Sequence, residues 1–194
     1  MSDLVSSDTS IRYTFKASLI LSANQLELDD QGLHWRIGSR SGTWPLSSIA
    51  TVRLSYRPVS MQARRFRADI GNERGETLPV FSTTWQTVAL MQPQDSDYRA
   101  FILALHGRLH AIGSKASFVA GLKPWLYQAA AGVLVLVGLA IAGLFVRAIW
   151  SGLWAGAFFV VAFAALFAWQ VGGFIRRNRP RRYTPDKVPD DLLP

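Results

Sequence analysis

The chain has 194 residues, with 21 Lys and Arg against 13 Asp and Glu, a formal net charge of +8 and no cysteine. The missing cysteine excludes a disulfide framework and any thiolate metal site, and is compatible with a reducing compartment. The positive excess points toward anionic surroundings, and 49% hydrophobic residues is more than a purely surface-exposed or disordered chain carries.

Residues 1–10 (MSDLVSSDTS) are polar and read as a flexible lead. From Ile11 the pattern turns to short β-like runs. IRYTFKASLIL is rich in branched and aromatic residues. QLELDDQGLHWRIG reads as two strands about an Asp29–Gly32 turn, with Leu26 and Leu28 on one face and Leu33, Trp35 and Ile37 on the next. GTWPLSSI follows a Ser39–Gly42 turn. ATVRLSYRPV alternates Val52, Leu54 and Tyr56 with Arg53, Ser55 and Arg57, and ARRFRADIG alternates Phe66, Ala68 and Ile70 with Arg65, Arg67 and Asp69. ETLPVFSTTW is a seventh strand. SDYRAFILALHGRLHAIG changes period: Phe101, Ile102, Leu105, Leu109 and Ile112 recur at helical spacing, with Ser96 as cap and Gly113 as stop.

Two apolar runs come next, Trp125–Val146 and Ile149–Ile175, with Arg147 the only charge between them. Each is long enough to cross roughly 30 Å of hydrocarbon as a helix, and neither keeps the polar stripe of a soluble helix. A connection at about Arg147–Ala148, with fraying into Ser151–Gly152, forces an antiparallel hairpin, with helices at 124–146 and 149–175. Lys115, Lys123, Arg176, Arg177, Arg179, Arg181 and Arg182 flank its open end, which places both flanks in the cytoplasm of a bacterial inner membrane and the tip outside. Gly152 and Gly156 form a G-x-x-x-G pair, a candidate helix-packing surface within the hairpin or toward another membrane subunit. Gln170 is the one strongly polar side chain deep in a span, suited to a bond across a helix pair or to the interface.

The tail, 176–194, is basic and proline-rich. Pro185, Pro189 and Pro194 disfavour continued helix, while Tyr183, Leu192 and Leu193 are candidate anchors onto the domain or a partner; disorder is the other reading.

The strand count and order, several antiparallel strands closed by one helix, resemble the pleckstrin-homology fold in its small bacterial membrane-attached form. The stretch GLHWRIGSRSGTWPLSSIATVRLSY carries the resemblance best; the resemblance covers roughly Ile11–Gly113, within a domain at 11–115. It implies an α+β, pleckstrin-homology-like antiparallel domain with a closing amphipathic helix, followed by the transmembrane hairpin. Such domains bind lipid headgroups or act as protein-interaction modules. A generic antiparallel α+β domain is the competing reading.

Little points to chemistry. His106 and His110 lie four apart on the helix and read as a polar face; a metal site would need a further ligand. The Asp29–Asp30 and Asp190–Asp191 pairs read as solvated acids. No cofactor or catalytic residue is assigned. Arg53, Arg57, Arg64, Arg65 and Arg67 cluster on two neighbouring strands and, with Arg176 and Arg177, are the candidate contacts to anionic lipid or a partner. Nucleic acid fits a tethered domain poorly. The leading expectation is a non-enzymatic inner-membrane interaction or scaffold protein, as a homo-oligomer or a subunit of a complex. Anionic-lipid sensing is the alternative. An envelope-lipid hydrolase would need His106 or His110 joined to distant acid or hydroxyl groups.

Overall fold

A computed structural model describes residues 10–18, 22–58, 64–87 and 90–194. The polar lead before Ser10 lies outside them, as do the end of the first predicted strand at 19–21 and the segments 59–63 and 88–89. The described residues form a mixed α+β protein of three sheets and three α-helices. They divide into two units: the chain up to Ala120 together with Arg181–Pro194, and Gly121–Pro180.

In the first unit, β1 (Ile11–Phe15), β2 (Asn24–Leu28), β3 (Leu33–Ile37) and β4 (Arg40–Trp44) form an antiparallel meander. A second sheet has the order β11-β10-β5-β6-β7, built from β5 (Ile49–Tyr56), β6 (Phe66–Asn72), β7 (Thr77–Phe81), β10 (Ser117–Ala120) and β11 (Arg181–Arg182). The period-2 pattern sorts the faces as the side chains demand. Tyr13, Phe15, Leu26, Leu28, Val52, Leu54, Phe66, Ala68, Ile70, Leu78 and Val80 are all buried in one core.

The predicted seventh strand divides at Ser82 into β7 and β8 (Thr83–Trp85), and β8 pairs with β9 (Met91–Pro93). Ser82 makes the corner: its N–H donates to Phe66 O at 3.0 Å, its hydroxyl accepts from Phe66 N–H at 2.9 Å, and its carbonyl accepts from Gln94 N–H at 2.8 Å. A buried serine with every polar group engaged can end a ladder without an unpaired donor.

Helix α1 (Asp95–Ala111) buries Tyr98, Phe101, Ile102, Leu105 and Leu109 against the sheets. Its N-cap is Gln94 rather than Ser96. Gln94 is fixed by Ser82 and by donation from Nε2 to Thr14 O at 3.2 Å. Ser96 therefore falls inside the first turn, where Asp95 and Asp97 meet the positive end of the helix dipole. Gly113 ends the helix as predicted, at φ 62°, with Ser114 N–H donating to Leu109 O at 2.9 Å. Ile112 is left exposed at that end.

The domain does not stop at 115. Beyond it, β10 runs parallel to β5, with Phe118 opposite Val52 and Ala120 opposite Leu54. After the long helices the chain returns: β11 pairs antiparallel with β10, Val119 opposite Arg182 and Ala120 opposite Arg181. The tail then places Leu192 and Leu193 in the core, at 0% and 5% exposure. Arg99 holds the tail end, donating to Pro194 O at 3.1 Å and pairing with Asp190 at 3.0 Å, and Arg181 pairs with Asp191. The acidic pair expected to be merely solvated thus clips the tail in place.

In the second unit, α2 (Pro124–Trp150) and α3 (Trp154–Arg177) are long and apolar enough to cross a membrane by length and composition. The turn lies at Ser151–Leu153, beyond Arg147–Ala148 and at the Ser151–Gly152 end of the expected connection. Arg147 continues α2 because a cation in the last turn suits the negative helix end. Gly152 stops it: its φ of 67° is a conformation that side chains resist, and Leu153 N–H donates back to Ala148 O at 2.9 Å. Gly152 is therefore a turn residue rather than a helix-packing one. At Gly156 an added Cβ would stand 3.7 Å from Leu153 Cβ and 4.0 Å from the Ala148 methyl on α2, ordinary van der Waals distances. At the unit's open end, Leu122 N–H donates to Asn178 O at 3.0 Å.

Burial of a leucine contributes about 1.5–3 kcal/mol, and its truncation in a packed core adds a cavity cost. Leu192→Ala should therefore lower the stability of the first unit by about 2–5 kcal/mol. Chemical denaturation followed by tryptophan fluorescence reads this, and a change below about 0.5 kcal/mol would mean the tail is not part of the core.

Candidate functional site

Two clusters in the first unit gather the polar and charged side chains singled out from the sequence. The first is where the tail meets α1. His106 is 1% exposed, whereas His110, one turn on, lies at the surface. The expected polar face carrying both histidines is thus not formed. Tyr183 makes the difference: its ring stacks on the His106 imidazole at a centroid distance of 5.7 Å, and Phe118 of β10 closes the third side at 5.3 Å from His106.

Both imidazole nitrogens are engaged. Nδ1 lies 2.7 Å from Ile102 O, and a carbonyl only accepts, so Nδ1 carries the proton. Nε2 then accepts from the Tyr183 hydroxyl at 2.9 Å. Burial lowers the His106 pKa below its ordinary 6.5, although the Ile102 carbonyl acts the other way. Burial raises the Tyr183 phenol above its ordinary value. Both groups are neutral near pH 7, and neither ring nitrogen is open to a substrate. The pair joins tail to helix.

The second cluster is the outward face of β5 and β6. The ladder sets Arg53 opposite Asp69 and Ser55 opposite Arg67, and Arg57 N–H donates to Arg65 O at 2.8 Å just beyond it. Arg53, Arg57, Arg65 and Arg67 therefore project from one face, with Arg64 exposed at its edge. Phe81 of β7 organises it. The Arg65 guanidinium carbon stands 3.8 Å from the ring centroid and that of Arg67 5.4 Å. Arg67 also grips Asp69, at 2.8 Å from Nε and 2.6 Å from Nη2. Burial, then the neighbouring Arg67 charge, lowers the Arg65 pKa. Two guanidiniums are thus held close together over one ring, with Asp69 the carboxylate against them.

Arg176 and Arg177 belong to the second unit, in the last turn of α3. Among the described residues, no three His, Cys, Asp or Glu side chains gather as a metal site would require. The alternation of β5 and β6 signalled the arginine face, but Phe81 and Asp69 as its organisers were not singled out. The hydrophobic pattern of β7 could have pointed to Phe81, because it pairs outward beside Arg67.

A further polar contact orders the β2–β3 turn. Desolvation raises the Asp29 pKa, but N–H bonds from Gly32 and Gln31 and the nearby His34 outweigh it and hold the carboxyl below its ordinary value. His34 Nε2 lies 2.8 Å from Asp29 Oδ2.

No protein-family model, no curated protein and no solved structure matches this chain.

The His106 environment gives a pH dependence of definite sign. Above pH 6.5 neither folded nor unfolded chain protonates this ring. Below it the unfolded chain takes up a proton that the folded chain resists, so stability falls as pH drops through 6.5. Denaturation midpoints of the wild type should decline across that range, and those of His106→Gln should decline less. Parallel profiles would remove His106 as the source.

Proposed function

We propose that this chain is a non-enzymatic, membrane-anchored interaction module. In this reading α2 and α3 cross a bacterial inner membrane as a hairpin, and the pleckstrin-homology-like domain and its tail share the cytoplasmic face. One observation carries the proposal: β10, which leads into the hairpin, pairs with β11, which leads out of it. The two open ends of the hairpin belong to one sheet, so a crossing by one helix must be undone by the other. The apolar surface of both helices supports burial in lipid, since no residue of their most apolar stretches is fully buried within the chain. The basic residues at the open end support the direction, as Arg147, in the last turn of α2, is the one charge near the tip. The engagement of His106 by Ile102 and Tyr183 leaves neither of its ring nitrogens for a substrate, which weighs against the hydrolase reading through this residue.

Reporters fused before Ile11 and after Pro194 should both report from the cytoplasm, and the chain should stay with the membrane pellet in alkaline carbonate. Reporters on opposite sides would break the two-crossing arrangement, and release by carbonate would remove the membrane altogether.

The arginine face favours a second reading, anionic-lipid contact by the domain. Each basic residue held near an anionic surface contributes roughly 1 kcal/mol at moderate salt. A variant joining Leu122 to Asn178 through a short flexible linker, without the hairpin, should remain folded, because those residues already meet. It should float with phosphatidylserine vesicles but not with neutral ones. Arg65→Gln with Arg67→Gln should weaken that binding about thirtyfold, from roughly 1 kcal/mol for each of the two charges. Equal flotation with both vesicle types would exclude the reading.

A further inference from the structure

Gln170 has the side chain in the second unit least suited to its surroundings. It lies on α3 seven residues before Arg177, about 10 Å along the axis at 1.5 Å per residue. If α3 crosses the membrane, as the reading above holds, this carboxamide sits inside the hydrocarbon. There its two donors and its acceptor oxygen lack water. Its side chain is exposed and has no hydrogen bond within the chain.

The helix period places Gln170 away from α2. Residues of α3 that line the groove between the helices include Val160, Val161, Ala164, Phe167 and Ala168, and Ala157 is 4% exposed. At 100° per residue, Gln170 lies about 120° around the helix from Ala164, on a stripe with Phe159, Phe163, Leu166 and Gly173. Gly173 lies one turn on along this stripe, and an added Cβ there meets nothing within 4 Å, as at Gly132, Gly138, Gly143 and Gly172, so the surface beside Gln170 is open to a close approach.

We propose that the Phe163–Leu166–Gln170–Gly173 face of α3 pairs with the same face of a second copy, the two Gln170 carboxamides hydrogen-bonding across a two-fold axis. A carboxamide both donates and accepts, so its own copy is a complete partner. A two-fold along the membrane normal brings the two side chains together at the same depth without any further requirement. Gly173, one turn away, lets the backbones approach closely enough for that bond, as small residues do at helix crossings in lipid.

The absence of cysteine allows a direct test in native membranes with the full chain. Phe163→Cys and Leu166→Cys should each form an intermolecular disulfide on mild oxidation, and Ala164→Cys and Ala168→Cys should not. Adding Gln170→Leu to Leu166→Cys should weaken dimerisation about threefold or more, the scale of one hydrogen bond between helices in lipid, and Gln170→Asn should keep most of it. Cross-links at Ala164 or Ala168 instead, cross-links to a different protein, no cross-links at all, or equal yields with Gln170→Leu would each overturn the pairing. Alkaline carbonate separates the two levels: a chain released from the membrane overturns the membrane reading and the pairing with it, whereas a chain retained without these cross-links overturns the pairing alone.

Discussion

The chain leaves its folded domain and comes back to it, and the rest of the architecture depends on that return. The helical unit, Gly121–Pro180, is inserted between β10 and β11, two strands that pair with each other. Beyond β11 the tail supplies Leu192 and Leu193 to a core otherwise built from residues before 121. The domain thus closes only when a segment more than sixty residues downstream of β10 has docked. Loop closure over such a span costs only a few kcal/mol and grows slowly with length. The apolar burial of Tyr183, Leu192 and Leu193, with the Arg99 and Arg181 ion pairs, offsets it.

The same return explains why a histidine is buried. An imidazole in an apolar setting needs both nitrogens engaged. The helix backbone supplies one partner through Ile102, and only the tail supplies the other through Tyr183. Tail docking and His106 burial are one event. Because the pair is neutral, its cohesion does not rest on charge, unlike the arginine clips nearby. Those clips lie partly exposed and contribute little each.

On the opposite logic, the outward face of β5 and β6 keeps its charges concentrated. Arg65 and Arg67 share the Phe81 ring, and Asp69 answers one of them directly. A ring face attracts cations without neutralising them, so it can hold two guanidiniums near each other while leaving the face positive. That is a surface suited to meeting an anion, whichever partner brings it.

How much was legible in the sequence follows from the range of each interaction. Local periodicity determined the alternating faces of β1 to β7, the α1 apolar stripe and its Gly113 stop, and the two long apolar helices, because each is set by residues a few positions apart. The arginine face was readable for the same reason, since β5 and β6 alternate in step. Distant partners decided the rest. Ser96 has the chemistry of a cap, yet Gln94 takes the position because Ser82 and Thr14 hold it from other strands. Gly152 resembles half of a packing motif, but the left-handed turn that only glycine enters easily claims it first. His106 and His110 look equivalent along the helix; Tyr183, 77 residues away, buries one and not the other. The sequence by itself determined β1 to β7, α1 and the two long apolar helices, and which of their faces are apolar; β9, β10 and β11 are too short to show a period of their own. The tertiary structure alone decided which face the tail covers, because that depends on contacts between segments whose separation along the chain leaves no periodic trace.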